Sequence, residues 1–213
     1  MESKQILIVG AGLAGSTIAR ELADKGFNVT IIDQRGHLGG NAYDYVNEHG
    51  ILIHKYGCHI FHTDNEVVFN WLSKFTEWTE YKHKVVARLP DGELITFPPT
   101  QSFTKSVGLE YVRNVLYKPY TKKMWGLDIS QIDNTVINRV PVRDNEDTLY
   151  FPKNRYQYLP KHGYSAMFAK ILEHENITLK LDTSFDKSME KDYFHVFNCM
   201  PIDVYYDYQY GEL

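Results

Sequence analysis

The stretch QILIVGAGLAGSTIARELADKGFNVTIID, residues 5–33, limits the available folds more than any other part of the chain. Ile6, Leu7, Ile8 and Val9 form a continuous apolar run of the kind needed by a parallel strand buried on both faces. A turn with Gly10, Gly12 and Gly15 follows, and Ile18, Ala19, Leu22 and Ala23 then recur at helical spacing until Gly26 ends the helix. A second strand is expected over 28–32, ending at Asp33, 18 residues after Gly15. Gly10 makes the tight turn, Gly12 lets backbone approach a pyrophosphate, and Gly15 lets helix and strand pack closely. The helix N-terminus offers amide donors and the positive end of its dipole to phosphate, and the Asp33 carboxylate accepts from a ribose hydroxyl. Glycines alone would also suit a tight βα turn that binds nothing; strand, turn, helix, strand and acid together point to a dinucleotide site.

Composition narrows the class. With 43% hydrophobic and 23% charged residues the chain can build a core. A net charge of -4, with Lys and Arg spread along the sequence, excludes a general nucleic-acid binder but leaves room for a local basic pocket that takes a phosphorylated small molecule. No run approaches the 18 apolar residues of a membrane span, and the first residues lack the basic start and cleavage site of a signal peptide, so no membrane partner is expected. Cys58 and Cys199 make no disulfide framework, which fits a reducing cytoplasm and leaves the Asn-Ile-Thr sequon at 176–178 without meaning. Sixteen tyrosines, concentrated in 111–164 and 204–210, suit either stacking on a planar ligand or an aromatic-rich surface.

The segment KYGCHIFHTD, with His54 just before it, allows three readings for Cys58, His59 and His62: a metal cluster, a cysteine nucleophile with its base, or an ordinary loop whose histidines bond to backbone. A metal needs three or four ligands, and the sequence has no second Cys/His cluster to complete them. Nearness of a histidine in sequence does not by itself lower a thiol pKa. Further on, HKVVARLPDGELITF alternates around Asp91 and Gly92 and predicts a β-hairpin. A helix is expected over roughly 105–118, and KDYFHVFNCMP, 191–201, reads as another buried strand.

Directly after Asp33 comes QRGHLGGNAYD, whose glycine pair Gly39 and Gly40, followed by Asn41, looks like backbone brought close to a ligand that runs on past the pyrophosphate. The pattern resembles the FAD-binding domain of the glutathione-reductase and amine-oxidase type. Seven segments carry a wider resemblance: ILIVGAGLAGSTIA, IIDQRGHLGGNAYD, HKYGCHIFHTDNE, PYTKKMWG, INRVPVR, LYFPKNRYQYLPKHGYSAM and NCMPIDVYYDYQYG. In that order, over most of the chain, they resemble the UDP-galactopyranose mutase family. The resemblance implies an α/β fold: a Rossmann-like FAD-binding domain joined to a reduced substrate domain of β-sheet and short helices. The expected division is 1–80 for the first part of the FAD domain, 81–180 for the substrate domain and 181–213 for the return to the FAD domain.

The resemblance also implies a function, a cytoplasmic isomerase that interconverts the pyranose and furanose forms of UDP-galactose. The reaction runs through a sugar adduct at N5 of reduced FAD, without net redox change. In such a site the cofactor supplies the nucleophile, and the protein positions the sugar and stabilises the departing diphosphate. Gly10, Gly12, Gly15, Asp33, Gln34, Gly39, Gly40, Asn41 and His59 are then cofactor residues, with His59 against the isoalloxazine and, together with Arg143, expected to be catalytic. Cys58 stands where the family commonly has proline, which removes a φ lock. Tyr120 and Trp125 match residues near the sugar and diphosphate, Arg143 an arginine that pairs with the diphosphate, and Tyr150 a tyrosine that stacks on uracil. Tyr117 and Tyr156 occupy neighbouring positions. Without the family, Trp125 would pass for a core anchor, Arg143 for a surface ion pair and the tyrosines for packing residues.

The sequence departs from the family between Pro98 and Tyr120, where the helical part is abbreviated, and after Leu213, where members carry a second diphosphate arginine and further active-site residues. Lys153 or Arg155 is expected to stand in for that arginine. A compact, virus-encoded enzyme acting in the host cytoplasm as a homodimer fits this brevity. The alternatives are a non-catalytic relative that binds FAD or a UDP-sugar, and a flavin oxidoreductase of the amine-oxidase superfamily.

Overall fold

The computed structural model describes residues 5–133 and 142–212. The apolar run becomes β1 (Gln5–Val9), followed by α1 (Leu13–Ala23) and β2 (Asn28–Ile32). Then come β3 (Asp44–Val46), β4 (Leu52–His54), β5 (Phe61–Thr63), α2 (Glu66–Leu72), β6 (Trp78–Glu80), β7 (Val85–Arg88) and β8 (Leu94–Phe97). Helices α3 (Gln101–Val107) and α4 (Leu109–Val112) lead through a π-helical turn, Arg113–Tyr117, into α5 (Lys118–Trp125). The last elements are β9 (Tyr156–Pro160), α6 (Tyr164–Leu172), β10 (Ile177–Lys180), β11 (His195–Asn198) and α7 (Ile202–Tyr205). Two units result: one holds the residues up to Phe61, Asn65–Glu80 and those from Tyr158 on, the other His62–Asp64 and Tyr81–Gln157.

In the first unit β10, β2, β1 and β11 lie side by side in that order, all parallel. Because side chains alternate along a strand, Ile6 and Ile8 join Val29, Ile31, Ala19 and Leu172 on one face, while Leu7, Val9 and Ile32 meet Phe185, Met189 and Val196 on the other. Both faces of β1 are covered, as its unbroken apolar run requires. Among the described residues strand β11 has β1 alone beside it, and its His195 and Asn198 are exposed; the segment read as a buried strand lies at the edge of this sheet.

The domain division differs from expectation at its second boundary. Residues 158–180, expected with the substrate domain of 81–180, pack in the first unit, because α6 lies against α1 and β10 pairs with β2. Helix α6 contributes Met167, Phe168 and Ile171 to a cluster with Leu72 and Phe75. Burying a side chain such as Phe168 is worth about 2–3 kcal/mol. The N-terminus of α6 is held by Asp44, 2% exposed, whose carboxylate accepts from the backbone N–H of Tyr164 at 2.5 Å and of Ser165 at 2.8 Å. An anion there satisfies free helix donors and opposes the helix dipole.

In the second unit β7 and β8 form the expected hairpin, with Val85 opposite Phe97 and Arg88 opposite Leu94. Gly92 turns at φ 95°, and Leu89 accepts its N–H. Inward-facing Ile95 and Phe97 pack on Val112, Leu116 and Tyr117. The helix expected over 105–118 is longer and broken, running from Gln101 to Trp125 with an interruption at Gly108, φ 84°. Pro119 stands at the start of α5, directly after the π-helical turn Arg113–Tyr117.

Candidate functional site

The carboxyl ends of all four parallel strands open on one groove of about 730 Å³ in the first unit. In the order β10-β2-β1-β11 the connections reverse direction between β1 and β11, and a doubly wound sheet has its binding crevice at that switch point. The glycine loop after β1 forms one wall and Cys199 to Pro201 after β11 the other. Asp33 to Arg35 follow β2, and Thr183 and Phe185 follow β10. Gly10, Gly12, Gly15, Asp33, Gln34, Gly39, Gly40, Asn41 and His59 all line this groove.

Each glycine has a local cause. Gly10 turns at φ 102°, and a Cβ on Gly15 would lie 1.9 Å from the Gly10 carbonyl oxygen, so only glycine lets α1 start this close to β1. Helix α1 begins at Gly12 without a side-chain cap, which leaves its first N–H groups directed to the groove. The pair Gly39 and Gly40 has a packing role that the sequence reading did not include. Gly39 N–H donates to the Ala11 carbonyl at 2.9 Å, and a Cβ on Gly40 would lie 3.2 Å from Gly12 Cα. The second glycine loop is thus seated on the first.

Asp33 is engaged as well as exposed to the groove: its Oδ2 accepts from Ala11 N–H and its Oδ1 from Arg35 N–H, both at 2.9 Å. A carboxylate oxygen has a second lone pair, so acceptance from a ribose hydroxyl remains available. Burial pushes the Cys199 thiol up from its ordinary value, which leaves it a weak nucleophile.

Of the readings for KYGCHIFHTD, the ordinary loop accounts for the histidine contacts. His54 Nδ1 accepts from His59 N–H at 3.2 Å, His59 Nδ1 lies 2.9 Å from the Gly57 carbonyl, and His62 Nδ1 lies 2.8 Å from Asn154 Oδ1. Among the described residues no three His, Cys, Asp or Glu side chains gather as a metal ion would need. His59 lines the groove, whereas His62 belongs to the second unit, stacked on Phe151 at 3.7 Å.

The second unit brings several expected substrate residues together. The hydroxyls of Tyr120 and Tyr150 lie 3.2 Å apart, and Phe97 packs on both Tyr117 and Tyr120. Arg143, 9% exposed, is no surface ion pair: its Nε donates to the Pro98 carbonyl at 3.3 Å and its Nη2 to the Leu149 carbonyl. Tyr117 and Tyr156 are buried; burial pushes the Tyr117 phenol up to about 12, a shift that the nearby Arg143 charge opposes. Trp125 is half exposed at the end of α5, not a core anchor. Lys153 and Arg155 are exposed, and Arg155 lies over the Tyr156 ring at 5.0 Å. Most of INRVPVR lies outside the described residues.

Sequence reading missed Arg35, Thr183 and Phe185 as groove residues. Arg35 had a signal in standing two places after the acid. Thr183 and Phe185 had none, since nothing local to 177–185 says that β10 joins β2.

Comparison with known proteins places these features. Residues 115–213 match the model of the UDP-galactopyranose mutase family, and residues 8–75 that of the NAD(P)-binding Rossmann-like domain. The chain is 37% identical to a probable UDP-galactopyranose mutase of Klebsiella pneumoniae, over 100% of this chain and 64% of the relative. That alignment runs over 249 positions against 213 residues here, so the relative carries insertions. It is 35% identical to a dTDP-fucopyranose mutase of Escherichia coli, over 98% of this chain and 66% of the relative. The chain thus spans just under two thirds of the length of these curated relatives. A crystal structure of reduced UDP-galactopyranose mutase shares the fold, with TM-score 0.60 and 16% identity over 84% of this chain and 49% of that one. Taken with the glycine-lined groove at the switch point, these matches show a chain similar over its whole length to UDP-galactopyranose mutases, with residues 115–213 matching that family's model.

Proposed function

We propose that the chain acts as a flavin-dependent isomerase that interconverts the pyranose and furanose forms of a UDP-bound galactose with no net redox change. The observation that carries this reading is the single groove into which all nine expected cofactor residues converge. Its residues fit FAD: left-handed glycines whose side chains would intrude, free helix donors for a pyrophosphate, an acid for a ribose, and a volume within the range of cofactor sites. Reduced FAD, when bound, supplies the nucleophile that displaces the nucleotide. The protein's part is to hold the reacting groups and meet charge. Arg143, oriented by the Pro98 and Leu149 carbonyls, offers positive charge to a diphosphate as its negative charge grows. Tyr150, with Tyr120 at its hydroxyl, supplies a ring face for uracil, and Trp125 flanks the sugar. Arg155 takes the part of a second diphosphate cation, so Arg155→Ala weakens UDP binding.

The dTDP-fucopyranose mutase, similar to nearly the same degree, favours a second reading of the substrate in which the nucleotide is dTDP. Association into homodimers and action in a reducing compartment belong to the same proposal. Exposed Val86 and Leu94 offer apolar surface for a second copy, and both cysteines are free. The test is chemical reduction of the FAD-loaded protein followed by incubation with UDP-galactofuranose or dTDP-fucofuranose. Conversion to the pyranose supports the proposal and selects the nucleotide. Nucleotide binding without conversion would point instead to a non-catalytic relative, and substrate-dependent flavin reduction to an oxidoreductase.

A further inference from the structure

One cluster lies beside the groove and is used by nothing above. Tyr56 sits in the turn before His59, with its ring 4.9 Å from the Arg35 guanidinium and 5.5 Å from Lys55 Nζ. Its hydroxyl lies 2.8 Å from His37 Nε2. His37 Nδ1 lies 3.1 Å from the Leu38 carbonyl, which can only accept, so Nδ1 carries the proton and Nε2 accepts from Tyr56. The His37 ring is fixed in turn by stacking on Tyr43 at 3.9 Å and 14°. Arg35 is fixed by Asn41 Oδ1 at 2.9 Å, and its own N–H donates to Asp33. On the far side of Tyr56, Gly57 turns at φ 96° and its carbonyl meets His59 Nδ1.

We infer that Tyr56 is a positioning residue that clasps the His59 loop to the 34–42 loop, and so sets where His59 stands on the cofactor groove. The chain of contacts runs from Asp33 through Arg35 to the Tyr56 ring, and along the backbone to Gly57, whose carbonyl meets His59; all lie within the first unit, and Asp33 and His59 both line the groove. Tyr56 is 41% exposed, so its side chain is not a core support. The turn it holds begins and ends with hydrogen bonds of its own, Lys55 N–H to the Tyr43 carbonyl at 3.1 Å and His59 N–H to His54 Nδ1 at 3.2 Å. The Tyr56 side chain joins this turn to Arg35 and His37 of the 34–42 loop. The inference rests on the proposal that this groove takes FAD.

The test measures FAD dissociation constants by flavin fluorescence quenching, with visible flavin spectra, for wild type, Tyr56→Phe, Tyr56→Ala, His59→Ala and the double variant Tyr56→Ala with His59→Ala. Tyr56→Phe keeps the ring over Arg35 and loses only the bond to His37, so a weakening of about threefold is expected; Tyr56→Ala loses both, about tenfold. The spectrum shifts with each. If Tyr56 acts by placing His59, its removal changes affinity and spectrum much less when His59 is already alanine. Equal affinity and spectrum in both Tyr56 variants would overturn the inference. So would a Tyr56 effect of the same size with and without His59, which marks a merely structural role. A wild-type protein that binds no FAD overturns the cofactor proposal itself and this inference with it, and is told apart by the first measurement.

Discussion

Gly15 is where a single methyl group decides the fold. An added Cβ would meet the Gly10 carbonyl oxygen at 1.9 Å and the Ile8 side chain at 3.1 Å, and the Gly10 backbone cannot retreat without parting α1 from β1. Gly15→Ala should therefore destabilise by about 3 kcal/mol, as overpacking in a tight site does, read as a lower urea midpoint; a loss under 1 kcal/mol would mean that the helix shifts freely. Asp44 makes the opposite case, a charge where the fold wants one. Asp44→Asn replaces one acceptor oxygen with a donor, leaving the Tyr164 or Ser165 N–H unpaired at a buried helix terminus. About 2–3 kcal/mol of stability should go with it, and a neutral outcome in urea unfolding would show that the two N–H groups find other partners. The two residues differ in how readable they are. Gly10, Gly12, Gly15 and Asp33 fall within one short pattern with known spacing, whereas the partners of Asp44 stand 120 residues on, and no local feature of NAYDYV announces a helix cap.

At the scale of elements, the hairpin β7 and β8 was legible because Asp91 and Gly92 sit between two alternating runs. The links that fix the loop after it were not. Arg143 reads from sequence as a ligand for phosphate or a surface ion pair, yet its guanidinium closes the 142–150 segment on its own Leu149 carbonyl and ties it to the Pro98 carbonyl. Arg143→Lys keeps the charge but cannot reach two carbonyls from one planar fork. An expected loss of about 2 kcal/mol in thermal or urea unfolding would accompany weaker nucleotide binding; unchanged stability with weakened binding would assign Arg143 to the ligand alone. His83 lies in the same unit, its backbone carbonyl accepting from Tyr150 N–H at 2.8 Å. Burial, and then the charge of nearby His62, hold its imidazole below the ordinary value of 6.5. The unfolded chain then binds a proton that the fold resists. The stability tied to neutral His83 is full above 6.5 and is lost as pH falls through the lower folded value. His83→Gln should flatten the fall in urea stability between about pH 7 and pH 5; an unaltered slope would trace that fall to other groups.

For the molecule as a whole, the sequence leaves the sheet order open, because β10 and β11 reach β2 and β1 only after the chain has passed through the second unit. That route means the groove is closed by segments far apart in sequence: 10–15, 33–42, 183–185 and 199–204. Ligand binding stabilises the folded form by about 2.7 kcal/mol at a hundred times the dissociation constant, and amide exchange reports where that gain falls. FAD should therefore slow exchange in all four of these segments together, including 183–185 and 199–204, which carry no dinucleotide motif. UDP should slow exchange in 113–125 and 142–151, where Tyr120, Arg143 and Tyr150 lie. Protection by FAD confined to 10–15 and 33–42 would mean that only the local glycine motif binds, and that the strands contributed by 177–198 do not complete the site. Protection by UDP that falls on 10–15 instead of 113–125 would place the nucleotide in the dinucleotide groove and remove Tyr120, Arg143 and Tyr150 from substrate recognition.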